Sequence, residues 1–362
     1  MKYIFIITLI LAVSIAGISC KKDFLEAKPT KALLVPESLD DFQAILDNNG
    51  VMNKVPSLGS IASDEYQVNN ENLNLLNTQL ERNTYLWGQD PYAKPSVTDW
   101  DVLYQQVFYA NIVLDRLKNI NQNVEQPRYN SIKGCALFYR GMAFYQLTQL
   151  FCTAYSSEKA GSSLGIPIRL TSDVNFRSER GTLKASYDQI LKDINESLSL
   201  LERKSTINTR PSQWAAHALL SKINLSLGNY AEAASNASKC MEISDILLDY
   251  KKLNATSSLP FPPALPGLNA LANPEVIFYS GLNSYSFLRT TSTFVTVHPD
   301  LYASYLGNDL RKKLFFMVRP NGIINFKGSY AGSNNTSLFG GIAIDEIYLI
   351  KAECLARNGA ID

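Results

Sequence analysis

Apolar positions recur at helical spacing in one stretch after another. Leu103, Val107, Ala110, Leu114 and Leu117 step by three and four, as do Ile132, Cys135, Tyr139, Met142 and Gln146. Leu183, Tyr187, Ile190, Ile194, Leu198 and Leu201 form a third stripe, and Ala215, Leu219, Ile223 and Leu227 a fourth. Start signals accompany them. Ser96 with Asp99 reads as a capping-box-like opening, Pro127 precedes the second helix, and Thr209 with Pro211 opens the fourth. Gly228-Asn229 closes the fourth helix, since glycine takes the left-handed cap at no steric cost. Tyr230 then begins a new helix, in which Ala233, Ala234 and Ala237 are small enough for close approach. Gly134, Ala136, Gly141 and Ala143 offer similar contact points in the second. A short helix is expected over Ser38–Asn48, on Leu39, Phe42, Ile45 and Leu46. Another is expected near the end, on Ile344, Tyr348, Ala352 and Leu355, closed by Asn358-Gly359. Amphipathic helices of this kind bury their stripes against one another. The expected class is therefore mainly all-α, an array of helix hairpins over about 96–250 and 342–362.

Two segments lack that period. Residues 50–95 show no sustained pattern and carry Asp64, Tyr66, Tyr85, Trp87 and Tyr92. Residues 251–341 open on a Ser-Pro-Phe-Pro-Pro-rich run that excludes helix and central strand. They include a short candidate strand at Val276–Tyr279 and end rich in Gly, Ser and Asn. Long irregular segments on a rigid frame tend to carry function.

The amino terminus is an address. Met1–Ser19 has one lysine, an apolar run from Tyr3 to Ile18 and small residues before Cys20, as in a secretory signal too short to span a membrane comfortably. Gly17-Ile18-Ser19-Cys20 resembles a bacterial lipobox, with Gly17 where Leu is usual, so Cys20 is the expected lipid-bearing residue; a plain cleaved signal is the alternative. The mature region, 20–362, reads as one domain. Cys135, Cys152, Cys240 and Cys354 form no C-x-x-C and fall in helical patterns, which makes them small apolar residues rather than staples or ligands.

Composition narrows the function. Of 362 residues, 46% are hydrophobic and 19% charged, ordinary for a globular chain. Net charge is +1, and the signal holds only Lys2, so the mature chain balances. That argues against a nucleic-acid partner. The 19 tyrosines serve mostly as packing, although such a surplus also suits stacking on sugars. Two histidines leave little room for nucleophilic catalysis or a zinc site: His217 falls inside a helix, and His298 in a loop without an evident acid partner. Gly161-Ser162-Ser163-Leu164-Gly165 matches G-x-S-x-G in letters, but Ile-Pro follows where a nucleophile elbow needs a helix. No phosphate-cradling loop is recognisable, and no cofactor or metal is expected.

Glycoside hydrolysis needs only two carboxylates, and Asp64, Glu65, Asp90, Asp99 and Asp101 are available. As solvated loop residues they make a weaker case than the aromatics beside them. A sugar presents an apolar C–H face and a hydroxyl rim, so its site needs a flat ring plus polar neighbours. Tyr85-Leu86-Trp87-Gly88-Gln89-Asp90-Pro91-Tyr92 supplies both. The candidate ligand residues are Trp87, Tyr85, Tyr92, Asp64, Tyr66 and Tyr285, with Phe287 a weaker one. Trp100 enters a helix with periodic partners and reads as core.

The L-G-N-Y-A-E-A-A join at 227–234 looks like a tetratricopeptide hairpin. With D-W-D-V-L-Y and Asn111, Tyr139-Arg140-Gly141, Gly165-Ile166-Pro167, Tyr187-Asp188-Gln189-Ile190, Asn273-Pro274-Glu275-Val276-Ile277, Asp309-Leu310-Arg311 and Glu346-Ile347-Tyr348-Leu349, the chain resembles the SusD/RagB family of Bacteroidetes surface lipoproteins. The resemblance implies tetratricopeptide-like hairpins bearing a loop-rich face, an outer-membrane lipid anchor and a TonB-dependent SusC-like transporter as partner. It also implies binding, without cleavage, of a glycan or other nutrient. Family members continue past the A-E-x-x-A-R-x-G helix, whereas this chain stops at Asp362; it is expected to be a fragment or a shortened member. A helical scaffold that binds no glycan is the main alternative, a glycoside hydrolase the lesser one.

Overall fold

The computed structural model describes residues 35–92, 98–121, 123–264, 273–332 and 338–359. The signal segment, Cys20 and Ser96 lie outside the described residues. Ser38–Asp362 is one compact unit, to which every element below belongs.

The first loop-rich segment is more ordered than its lack of period suggests. It follows α1 (Leu39–Leu46), the short helix expected over Ser38–Asn48, and holds α2 (Asn49–Met52), β1 (Lys54–Val55), α3 (Leu58–Ile61), β2 (Tyr66–Gln67), a 3-10 turn over Asn70–Leu75 and α4 (Gln79–Tyr85). The pieces after α1 are too short for periodicity to reveal. Capping chemistry marks two of the helices: Ser38 and Asp41 exchange bonds at the start of α1, and Thr78 and Glu81 do so at α4.

The frame follows: α5 (Asp99–Leu117), α6 (Gln126–Phe151), β3 (Leu164–Pro167), β4 (Arg180–Thr182), α7 (Leu183–Leu200), α8 (Gln213–Ser226) and α9 (Tyr230–Ile243). The second loop-rich segment carries β5 (Val276–Phe278), β6 (Gly281–Leu282), β7 (Thr296–Val297), α10 (Pro299–Ser304), α11 (Leu310–Phe315), β8 (Phe316–Val318) and β9 (Ile324–Phe326). β10 (Ile342–Ala343) leads into α12 (Ile344–Arg357). The fold is mainly α-helical, as the periodicity predicts. Helices pack as sequential neighbours, α5 on α6, α6 on α7 and α8 on α9, with α12 against α9. The strands described pair only in twos, and two of those pairs join residues far apart in sequence. β1 runs parallel to β6, and β2 is antiparallel to β7, stitching the two loop-rich segments into one face.

α6 is the central helix. From Ile132 to Thr148 it is buried on nearly every side, because α5, α7 and α1 all cover it. Its small residues set how near α7 comes. A Cβ at Gly141 would stand 2.7 Å from Ile194 Cδ1 and 3.2 Å from Asp193 Cβ. Gly141→Val should therefore cost about 1–3 kcal/mol through overpacking, measured as a fall in the urea midpoint. An unchanged midpoint would show that α7 has room to move.

Several expected boundaries shift. α5 is opened by Thr98, whose N–H and hydroxyl donate to Asp101 Oδ2 (2.9 and 3.2 Å), so the cap lies past Ser96. Pro127 is inside α6, at its first turn, where its missing N–H costs nothing. Ser212 caps α8 through the Ala215 N–H. Thr209 instead turns its carbonyl to the Tyr139 hydroxyl (2.6 Å) and the Asn53 amide (3.0 Å). In α12 the buried face is Ile344, Ile347, Ile350 and Cys354, and Ala352 and Leu355 face outward. Cys135, Cys240 and Cys354 are buried free thiols as expected, whereas Cys152 is half-buried. His298 does have an acid beside it: Nδ1 caps α10 by accepting the Asp300 N–H, with Asp300 Oδ2 3.9 Å away. The G-x-S-x-G letters run from a turn into β3, the reverse of a strand-to-helix elbow.

Candidate functional site

α4 ends in an unusual way. Trp87 N–H bonds the Thr84 carbonyl and Gly88 N–H bonds the Asn83 carbonyl (3.2 and 2.8 Å), the paired bonds of a Schellman cap. The residue at its left-handed position is normally glycine, as at the end of α8, where Gly228 has φ +75°. Here it is Trp87, with φ +53°, the one non-glycine residue with positive φ among the described residues. A side chain in that region costs about 1–2 kcal/mol. The indole gains little burial in exchange, being 78% exposed, and its Nε1–H donates to the Ala62 carbonyl at 3.1 Å. A strained, outward-facing tryptophan held by one hydrogen bond is poorly explained by packing, and strain of this kind concentrates at functional positions.

Buried carboxylates hold the support. Glu81, on α4, accepts from the Ser286 hydroxyl (2.7 Å) and the Phe287 N–H (2.9 Å). Asp99, at the start of α5, accepts from Ser57 N–H (2.7 Å), Leu58 N–H (2.8 Å), the Asn283 amide (2.6 Å) and the Tyr285 hydroxyl (3.3 Å). One side chain thus ties the frame to both loop-rich segments. Burial pushes the Asp99 carboxyl above its ordinary 3.8, against the pull of those donors. The folded protein then binds that proton more tightly than the unfolded chain. Asp99's contribution to stability accordingly rises as pH falls from neutral through its folded pKa, and is complete below about 3.8. Wild-type stability measured relative to Asp99→Asn should increase between pH 7 and pH 4; a flat difference would refute the burial argument.

The expected ligand residues divide into groups. Tyr66 and Tyr85 pack their rings on Phe287, at 5.9 and 5.4 Å between centroids, in a separate apolar cluster with Leu58, Ile61, Leu80 and Leu338. The Tyr85 hydroxyl is occupied by Val68 N–H (3.1 Å) and that of Tyr285 by Asp99, so both serve internally. Burial and a neighbouring carboxylate, Glu65 and Asp99 respectively, push the phenols of Tyr66 and Tyr285 far above their usual range. Tyr92 is partly exposed, 6.4 Å from the Phe151 ring, and its phenol is raised to about 12 by burial and by Asp99 and Asp101. Asp64 is exposed on the turn before β2. Trp100 is half-buried, wedged between Tyr104 (4.8 Å) and Phe151 (5.0 Å).

The Ala62–Tyr66 turn that receives the Trp87 indole also borders a cleft of ≈ 320 Å³, which sequence reasoning missed. Glu65 and Tyr66 line one side; Tyr305, Phe316 and Phe326 line another. These residues lie more than two hundred positions apart and are joined by the β2–β7 pairing, which no local signal announces. The arrangement can offer flat apolar rings with a carboxylate and backbone groups at the rim. Among the described residues, no group of three or more His, Cys, Asp or Glu is placed to hold a metal ion.

A helical-hairpin frame carrying an aromatic, loop-built face defines a binding scaffold. The family model described as "Starch-binding associating with outer membrane", a SusD-like family, matches residues 23–225, more than half of the chain, and the chain belongs to that family. Solved structures share its fold. A putative sugar-binding protein from Bacteroides vulgatus is similar at 20% identity and TM-score 0.72, covering 90% of this chain and 76% of that one. A SusD superfamily protein from Bacteroides thetaiotaomicron matches at 21% identity and TM-score 0.68, covering 90% and 77%. A laminarin-binding SusD-like protein matches at 16% identity and TM-score 0.64, covering 88% and 79%. Among curated proteins none matches.

Proposed function

We propose that this protein binds a glycan at its loop-rich face, with Trp87 as the stacking platform, and hands it to a SusC-like TonB-dependent transporter. The observation that carries the reading is Trp87 itself: an exposed indole kept at a backbone angle that favours glycine, above a turn bordering an aromatic cleft. Flat rings match the C–H face of a sugar, and an exposed platform makes contacts weak enough for release. Tyr92, Tyr66 and Asp64 extend the surface at its edges, and Tyr85 and Tyr285 act from beneath by fixing the loops. The laminarin-binding neighbour makes β-glucans sensible first ligands. Lipid attachment at Cys20 would hold the domain at the outer membrane, facing outward.

Binding without hydrolysis is the favoured mode. Asp99 is committed to loop-bridging hydrogen bonds and Asp101 to the α5 cap, which removes two of the carboxylates a glycosidase could use. Affinity gels loaded with a panel of polysaccharides should retard the protein in at least one case, and no new reducing ends should appear. Migration unaltered by every polysaccharide would return the scaffold alternative; accumulating reducing ends would return the hydrolase.

A further inference from the structure

Lys312, Lys313 and Lys327 converge on a groove of ≈ 500 Å³ beside α10 and α11, walled by Tyr302 and Phe316. Lys327 is buried, with its ammonium held, among the described residues, by the carbonyls of Ala255 (2.7 Å) and Ser257 (2.9 Å), and burial lowers its pKa. Lys312 donates to the Tyr305 carbonyl (2.7 Å) and lies 4.5 Å above the Tyr302 ring. Among the described residues, no carboxylate stands within ion-pair distance of any of the three lysines. Elsewhere in this charge-balanced chain the buried Arg140 is matched by Asp193, and the half-buried Lys222 by Glu346. Withdrawing the Lys327 ammonium from water without a counter-charge is costly, and the half-buried Lys312 and exposed Lys313 on the same concavity add to a local positive excess. Phe316 is the common wall: it lines both this groove and the cleft beside Tyr66.

We propose that this groove recognises the oxyanion of an acidic saccharide, the carboxylate of a uronic acid or a sulfate ester, while the sugar ring packs against Tyr302. Carbonyl-held lysines supply charge and donors, and the aromatic wall supplies the apolar face that a free inorganic ion does not need. The inference rests on the glycan-binding reading and narrows its ligand: a chain crossing Phe316 from the cleft would place an acidic substituent among the lysines.

The test is calorimetric titration of the full chain with three oligosaccharides: a neutral β-glucan, an oligogalacturonate and a sulfated galactan. The wild type should bind one of the acidic probes more tightly than the neutral one, with affinity falling as salt rises from about 50 to about 500 mM. Lys312→Gln/Lys313→Gln should weaken that binding about tenfold or more and leave neutral binding unchanged. Lys313→Glu, a change at an exposed position, should do the same by charge reversal. The acidic probe that responds identifies the oxyanion. Acidic probes that bind no better than the neutral one, or that ignore both variants, overturn this inference and leave the glycan reading standing. If none of the three binds, and the polysaccharide panel also fails, the glycan reading falls as well.

Discussion

Trp87→Ala lowers glycan affinity by about 30-fold or more, the loss expected when a central aromatic worth about 2 kcal/mol is truncated. Circular dichroism should remain unchanged, because the indole is mostly exposed and contributes one hydrogen bond to the fold. A second comparison separates binding from backbone strain. Trp87→Gly should bind as poorly as Trp87→Ala, yet be about 1 kcal/mol more stable than it, since only glycine occupies a left-handed cap freely. If the two variants are equally stable, Trp87 is not strained; if Trp87→Ala retains affinity, the platform lies elsewhere.

Asp193→Ala should cost about 3–5 kcal/mol of stability, a large share of the 5–15 kcal/mol typical of a domain. Arg140 crosses from α6 to α7 and grips Asp193 with both Nε and a terminal nitrogen (2.7 Å each), and its other nitrogen donates to Asn111 on α5 (2.9 Å). Asn111 passes the link on to the carbonyls of Arg169 and Thr171, and Gln189 adds a donor to Asp193. Arg140, Asp193 and Asn111 are buried, so deleting the carboxylate leaves a buried guanidinium without its counter-charge and with two donors unpaired, Asn111 remaining as its partner. Chemical denaturation measures the loss directly. A change below about 1 kcal/mol would mean that water reaches Arg140 once the carboxylate is gone.

The frame was readable because its helices, of 14 to 26 residues, are long enough to repeat a buried face at the helical period. What the pattern missed was phase and terminus. In α12 two overlapping stripes exist, and packing against α9 selects Ile347, Ile350 and Cys354 over Tyr348, Ala352 and Leu355. At α8 both Thr209 and Ser212 are competent caps, and the demand of Tyr139 and Asn53 for the Thr209 carbonyl fixes that residue outside the helix. The loop-rich face was legible only as a place where aromatics gather. Trp87 and Tyr285 look alike in sequence, as aromatic residues in irregular segments, yet one is held outward and the other is tied down by Asp99. The cleft depends on two-residue strands pairing across most of the chain, and the lysine groove on the Ala255 and Ser257 carbonyls meeting Lys327, 72 and 70 positions away. Contacts that distant leave no local trace.

Iodide quenching of tryptophan fluorescence, with and without bound glycan, addresses the central claim most directly. Trp214 is buried and Trp100 half-buried, so the quencher-accessible emission belongs chiefly to Trp87. Saturating glycan should shield that emission and bring quenching close to the level of Trp87→Ala. Quenching that stays at the unliganded level while calorimetry reports a bound glycan would mean that the sugar sits somewhere other than on Trp87.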